Sequence, residues 1–243
     1  MVKVGLLTIG QSPRVDVLTD WGFDLRDVQD YKPMETLTPP ANSAIPPNIE
    51  FVHIGALDNI PREKIHEIQP PTGKGGAVSR LRDGSWTNID GDKLNPLMQK
   101  CVNELERSGC DAIVQLCTGD FPYLKPKCLY LRPGRLDRGI IETMLPEDGK
   151  LGIFGPSSSP LTHARAPRWG NREVYSVGVN PYEGSPESKI PTIKEFKGKV
   201  DLAYMGCIGY SLQHRKVARE ILNVPVIIPR LTCLKVLQEL YGA

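Results

Sequence analysis

Short apolar runs alternate with segments whose apolar residues recur every three or four positions through most of the chain. This is the pattern of strands alternating with helices in an α/β protein with parallel sheets. The strand-like runs are Val4–Ile9, Glu50–Leu57, Ala112–Leu116, Cys128–Leu131, Leu151–Phe154, Val174–Val179, Asp201–Met205 and Val224–Ile228. Helical spacing is predicted over Asn95–Arg107, Leu136–Leu145, Ser159–Trp169, Ser188–Lys197, Leu212–Leu222 and Thr232–Leu240. Two segments depart from the alternation. Ala77–Asn88, centred on Asp83-Gly84, predicts a β-hairpin, because Asp-Gly suits a two-residue primed turn. Lys32–Asn48 carries five of the 22 prolines and predicts an irregular excursion.

The pattern also repeats. Lys3-Val4-Gly5-Leu6-Leu7-Thr8-Ile9-Gly10-Gln11-Ser12-Pro13 matches Lys150-Leu151-Gly152-Ile153-Phe154-Gly155-Pro156-Ser157-Ser158-Ser159-Pro160. Each is an apolar strand entering a Gly, Ser and Pro loop, with a helix expected next. Downstream of each, an aspartate opens a strand that ends in cysteine. Asp111-Ala112-Ile113-Val114-Gln115-Leu116-Cys117-Thr118-Gly119 answers to Asp201-Leu202-Ala203-Tyr204-Met205-Gly206-Cys207-Ile208-Gly209. Two such halves predict two pseudo-symmetric α/β lobes, each a mostly parallel sheet flanked by helices. The hairpin is an insertion in the first half. The lobes are expected over 1–149 and 150–229, with the C-terminal helix at 230–243 free to pack back on the first.

Composition narrows the classes of function. A formal charge of +2 on 243 residues offers no basic field for nucleic acid or an anionic membrane. No apolar run reaches the length of a membrane span, and no secretory signal pattern comes after Met1. A cytoplasmic protein is expected. The six cysteines show no C-x-x-C pair and the histidines no metal-ligand spacing, so neither zinc nor another metal is expected.

In open parallel sheets, ligands sit at the carboxyl ends of strands. Cys117 and Cys207 fall there by pattern, and each is followed two residues on by glycine, Gly119 or Gly209. Backbone N–H groups of such loops, with any helix N-terminus beyond them, hold an anion and favour thiolate. With the lobes face to face, the thiols would stand on opposite sides of one small anionic ligand. One thiolate could take a proton from carbon next to a carboxylate while the other thiol returned one to the opposite face, with no cofactor. Cys101 and Cys233 fall within helices, Cys110 before a strand and Cys128 at the start of one; they read as passive.

A family resemblance rests on particular residues. Val4-Gly5-Leu6-Leu7-Thr8-Ile9-Gly10 with Pro13, Leu131-Arg132-Pro133-Gly134-Arg135-Leu136, and Cys207-x-Gly209-Tyr210-x-x-x-His214-Arg215 leading to Val224-Pro225-Val226 resemble AroM family proteins. That family is similar in turn to the aspartate/glutamate racemase superfamily. The resemblance implies two α/β lobes with the active site between them and catalytic cysteines at the two strand ends, here Cys117 and Cys207. Thr118 fits the small hydroxyl residue of the superfamily pattern. Ile208-Gly209 departs from its Thr-His, and His214 is a candidate replacement for that histidine.

Supporting residues carry two readings each. Gln11, Ser12 and Arg14 in the first loop, and Ser157 and Ser158 in the second, are candidates to hold substrate; serine also caps helices routinely. Arg14 could fork a carboxylate or face solvent at a helix start. Asp120 could assist proton transfer or cap a helix or turn after the strand, and Tyr210 could close the cleft or simply pack. His214 could activate Cys207 or cap a helix. Gly73-Lys74-Gly75-Gly76 lacks the P-loop pattern and reads as a flexible segment before the hairpin, a candidate flap. The leading expectation is a cofactor-independent racemase, epimerase or isomerase of a small carboxylic acid. A non-catalytic ligand-binding protein on the same scaffold, and a decarboxylase or lyase using one cysteine, are the alternatives. The apolar face of the last helix leaves a homodimer open.

Overall fold

The computed structural model describes residues 1–242, and the chain divides into two compact units. One runs from Met1 to Arg132 and takes in the segment from Cys233 onward; the other is Pro133–Thr232. The break thus falls before Pro133, ahead of the position near 149 read from the sequence.

In the first unit, β1 (Val2–Thr8) is followed by the short helices α1 (Val15–Asp20) and α2 (Leu25–Val28), then β2 (Thr36–Leu37) and β3 (Ile49–Gly55). A 3-10 turn at Arg62–Ile68 leads to β4 (Ala77–Arg80) and β5 (Trp86–Ile89), then α3 (Gly91–Arg107), β6 (Ala112–Gln115) and β7 (Leu129–Leu131). The main sheet has the order β2-β3-β1-β6-β7, parallel except for β2 at the edge. From Val4 onward β1 is fully buried, as a central strand covered on both faces must be. Leu94, Met98, Cys101, Val102 and Leu105 form the buried stripe of α3. A Cβ on Gly5 would lie 2.9 Å from a Leu105 methyl, so the glycine is what lets α3 approach β1 closely.

The expected hairpin forms between β4 and β5, but its turn differs from the predicted one. The N–H of Gly84 donates to the Leu81 carbonyl at 3.1 Å, Leu81 N–H pairs with Ser85, and Gly84 takes φ +88°. This is a type I turn closed by a left-handed glycine, a three-residue loop rather than a primed two-residue one.

The second unit contains α4 (Pro133–Met144), β8 (Lys150–Gly155), β9 (Ser159–Ala166), β10 (Arg172–Gly178), α5 (Ile190–Lys194), β11 (Leu202–Met205), α6 (Leu212–Leu222) and β12 (Val226–Ile227). The last helix, α7 (Pro229–Tyr241), begins in this unit. The sheet order is β12-β11-β8-β10-β9, parallel except for edge strand β9. Buried Arg172 donates to the carbonyls of Glu142, Leu145 and Pro146, and so caps the C-terminal end of α4 from β10.

One sequence expectation fails here. Ser159–Trp169 is not a helix; it is β9 followed by a 3-10 turn at Pro167–Trp169. Pro167 disfavours helical geometry at Ala166, which is extended (φ −121°, ψ 107°). Gly170 and Asn171, both left-handed, then reverse the chain into β10. Pro160 is tolerated because β9 is an edge strand.

The internal repeat is visible in the topology. Strands β3-β1-β6-β7 and β10-β8-β11-β12 have the same order, and each sheet adds an antiparallel edge strand from the same place in the chain. The registers also match: Val4 pairs with Ala112, and Leu151 with Leu202. The recurring aspartates have a common task. The Asp111 carboxylate accepts the Lys3 N–H at 2.9 Å, and that of Asp201 accepts the Lys150 N–H at 2.8 Å. Each aspartate returns its own N–H to the carbonyl of the same lysine. Among the described residues, no helix is long and apolar enough to cross a membrane.

Candidate active site

Both candidate thiols stand two residues beyond a strand end. The last ladder bonds are equivalent, Leu116 N–H to Leu7 at 2.7 Å and Gly206 N–H to Phe154 at 2.8 Å. Past them the chain turns back so that the N–H of the glycine two residues on meets the sulfur. Gly119 N–H reaches Cys117 Sγ at 3.4 Å, and Gly209 N–H reaches Cys207 Sγ at 3.4 Å. A hydrogen bond of this kind favours a thiolate over a thiol.

The supports around the two loops differ. Behind Cys117 the side-chain amide of buried Gln115 donates to the carbonyls of Cys117 (2.6 Å) and Gly119 (2.8 Å). Tyr130 in turn donates its hydroxyl to the side-chain Oε1 of Gln115 at 3.0 Å. Cys117 and Thr118 are half-buried, Gly119 and Asp120 exposed. No helix starts here, since the next one is α4 at Pro133; Asp120 therefore caps no helix.

Cys207 is buried, 5% exposed, with the Tyr182 hydroxyl 3.8 Å from its sulfur. Arg230, also buried, donates to the Ile208 carbonyl from Nε at 2.9 Å and Nη2 at 2.6 Å. Helix α6 begins at Leu212, with Ser211 as N-cap. His214 completes a capping box, its Nδ1 3.2 Å from the Ser211 N–H, which places this histidine in the cap. The Tyr210 hydroxyl donates to the carbonyls of Gly155 and Val179, tying together the ends of β8 and β10. Burial pushes that hydroxyl well above its usual range, so it stays protonated.

The first loop is held by an aspartate that pattern reading missed. Asp58 accepts the Ser12 N–H (2.7 Å), the Ser12 hydroxyl (2.6 Å) and the Gly55 N–H (2.6 Å). Burial raises its carboxyl, against the pull of these bonds and of Arg82. Arg82, in the hairpin turn, donates to the Ser12 carbonyl at 2.8 Å, and its N–H meets Gln11 Oε1 at 3.0 Å. The hairpin is thereby pinned to the loop after β1.

Arg14 is neither solvent-facing nor directed at an open position. It is 1% exposed and forks Asp16 through Nε and Nη2, both at 2.8 Å. Ser157 and Ser158 lie exposed in the turn between β8 and β9, and with a strand following they cap no helix. Three of the other thiols are held protonated by burial. Burial pushes Cys101 up to about 12 and raises Cys110 and Cys128 as well. Among the described residues, no group of three or more His, Cys, Asp or Glu side chains is placed to hold a metal.

Two parallel-rich sheets of matching order, each with helices and a thiol loop at equivalent strand ends, define the racemase-type two-lobe α/β class. The aspartate racemase of Picrophilus torridus superposes with a TM-score of 0.54 at 13% identity, covering 100% of this chain and 95% of that one. Allantoin racemase from Klebsiella pneumoniae gives 0.53 at 14% identity, covering 99% and 87%. At such identities the likeness concerns the fold. A glutamate racemase of Aquifex aeolicus (strain VF5) is 29% identical over 147 residues, spanning 53% of this chain and 58% of that relative. The family model described as AroM protein matches residues 31–241, and the chain belongs to the AroM family.

Proposed function

We propose that this chain is a cofactor-independent enzyme of racemase, epimerase or isomerase type, acting on a small carboxylic acid. The observation that carries the reading is the matched pair of thiol loops, each sulfur meeting the N–H of the glycine two residues on at 3.4 Å. In the proposed reaction one thiolate removes the proton from the carbon beside the carboxylate. The other thiol delivers a proton to the opposite face of the same carbon. The first sulfur ends protonated and the second ends as thiolate, so the reverse reaction exchanges their parts. Loop N–H groups stabilise the enolate-like charge between the two transfers. One sequence relative named a glutamate racemase, and fold neighbours named aspartate and allantoin racemases, support proton transfer at a carbon acid as the shared chemistry.

Incubation with a panel of amino and hydroxy acids in deuterium oxide tests this by NMR. One or more acids should take up deuterium at the α-carbon, and Cys117→Ser and Cys207→Ser should each remove turnover. Retention of full activity in either variant would refute two-thiol chemistry. Loss in one variant alone, with release of carbon dioxide, would identify a one-thiol decarboxylase instead.

A further inference from the structure

The two thiol settings match in their glycine N–H, and in the second unit a tyrosine hydroxyl also comes up to the sulfur. In the second unit the Tyr182 hydroxyl lies 3.8 Å from Cys207 Sγ. Its position is built in. The Asn180 side chain, itself buried, accepts the Tyr182 N–H at 2.9 Å and so fixes the turn that carries the ring. Gly209 leaves the room: a Cβ there would fall 2.6 Å from Cε1 and Cζ and 2.7 Å from the hydroxyl oxygen of Tyr182. One glycine thus donates its N–H to the sulfur and, by lacking a side chain, admits the tyrosine. In the first unit, the turn after β3 carries instead Asp58, which accepts from Ser12 and Gly55.

We propose that Tyr182 is a positioning residue for Cys207, its hydroxyl donating to the sulfur and holding it as thiolate. The inference deepens the racemase-type reading, since it makes Cys207 the sulfur poised as base in the resting enzyme. Three neighbouring titratable and charged groups hold hydrogen bonds of their own, Tyr210 also lying within electrostatic reach of Cys207. Tyr210 donates to Gly155 and Val179, the His214 imidazole packs edge-on to Tyr210 and caps α6, and Arg230 holds the Ile208 carbonyl.

The pH dependence of iodoacetamide alkylation, resolved for each cysteine by peptide mass spectrometry, tests this without any substrate. In Tyr182→Phe the alkylation midpoint of Cys207 should rise by roughly one to two pH units, as loss of a hydrogen bond to a charged sulfur implies. The Cys117 midpoint should stay where it is. Gly209→Ala, which pushes the ring away, should move the Cys207 midpoint in the same direction. Burial of Cys207 slows its labelling at every pH, so the midpoint and not the rate is read. An unchanged or lowered Cys207 midpoint in Tyr182→Phe would overturn the assignment. A shifted midpoint in a protein that exchanges no acid would leave Tyr182 in place and count against the enzyme reading instead.

Discussion

Asp137 on α4 is fully buried, and its Oδ1 accepts the Thr232 hydroxyl at 2.6 Å. Burial raises its carboxyl from 3.8 to about 6, while bonds from Thr232 and Tyr204 pull the other way. Between those values the folded chain holds a proton that the unfolded chain gives up. The stability this contributes is complete below about pH 4 and is lost as pH rises through about 6. The interval from 3.8 to about 6 corresponds to about 3 kcal/mol. Asp137→Asn keeps the shape and removes the charge. The variant should match or fall below the wild type at pH 4 and gain on it by up to about 3 kcal/mol at pH 7.5. Urea unfolding at half-unit pH steps reads this. His53, fully buried and held down to about 3 by desolvation, acts in the opposite sense, its contribution being lost as pH falls below 6.5. The difference between variant and wild type at each pH removes that background. An offset that is constant from pH 4 to 7.5 would refute the argument.

The loops give two further expected outcomes. Gln115→Leu strips the amide from the Cys117 and Gly119 carbonyls; it should cost about 1–3 kcal/mol in urea unfolding and lower turnover together with Cys117 labelling specificity. Gly178→Ala would put a Cβ 1.6 Å from the Ser157 carbonyl oxygen, so the β8–β9 turn must be displaced. Thermal unfolding should register a loss of about 3 kcal/mol or more.

The strand runs were legible because a buried parallel strand is a run of apolar residues with little else to imitate it. The repeat was legible for the same reason, and its aspartates proved to be backbone clamps, a role that no spacing announces. Ser159–Trp169 misled because its edge strand has exposed polar residues on both faces, leaving no period of two to read. Pro167 was the signal against a helix. The two-residue strand β2 lies in the proline-rich stretch, where pairing with β3 and not local propensity makes it a strand. At the site, the cysteines and glycines could be picked out from their place after strands. Asp58, Gln115, Tyr182 and Arg230 could not, since each acts on a residue up to 46 positions away and looks like an ordinary turn, strand or helix residue.

The arginine that closes α4 has a consequence for how the second unit assembles. Glu142 and Leu145 present carbonyls that a helix usually satisfies with residues just beyond its end, and here the donor arrives 27 to 30 positions later, while Pro146 also takes the Gly149 N–H at 3.0 Å. Until β10 is laid beside β8, the final turn of α4 is left to water and frays. Helix completion and sheet closure are therefore coupled, and a cut in the 146–149 connection before β10 is in place would leave the Glu142 and Leu145 carbonyls waiting for Arg172.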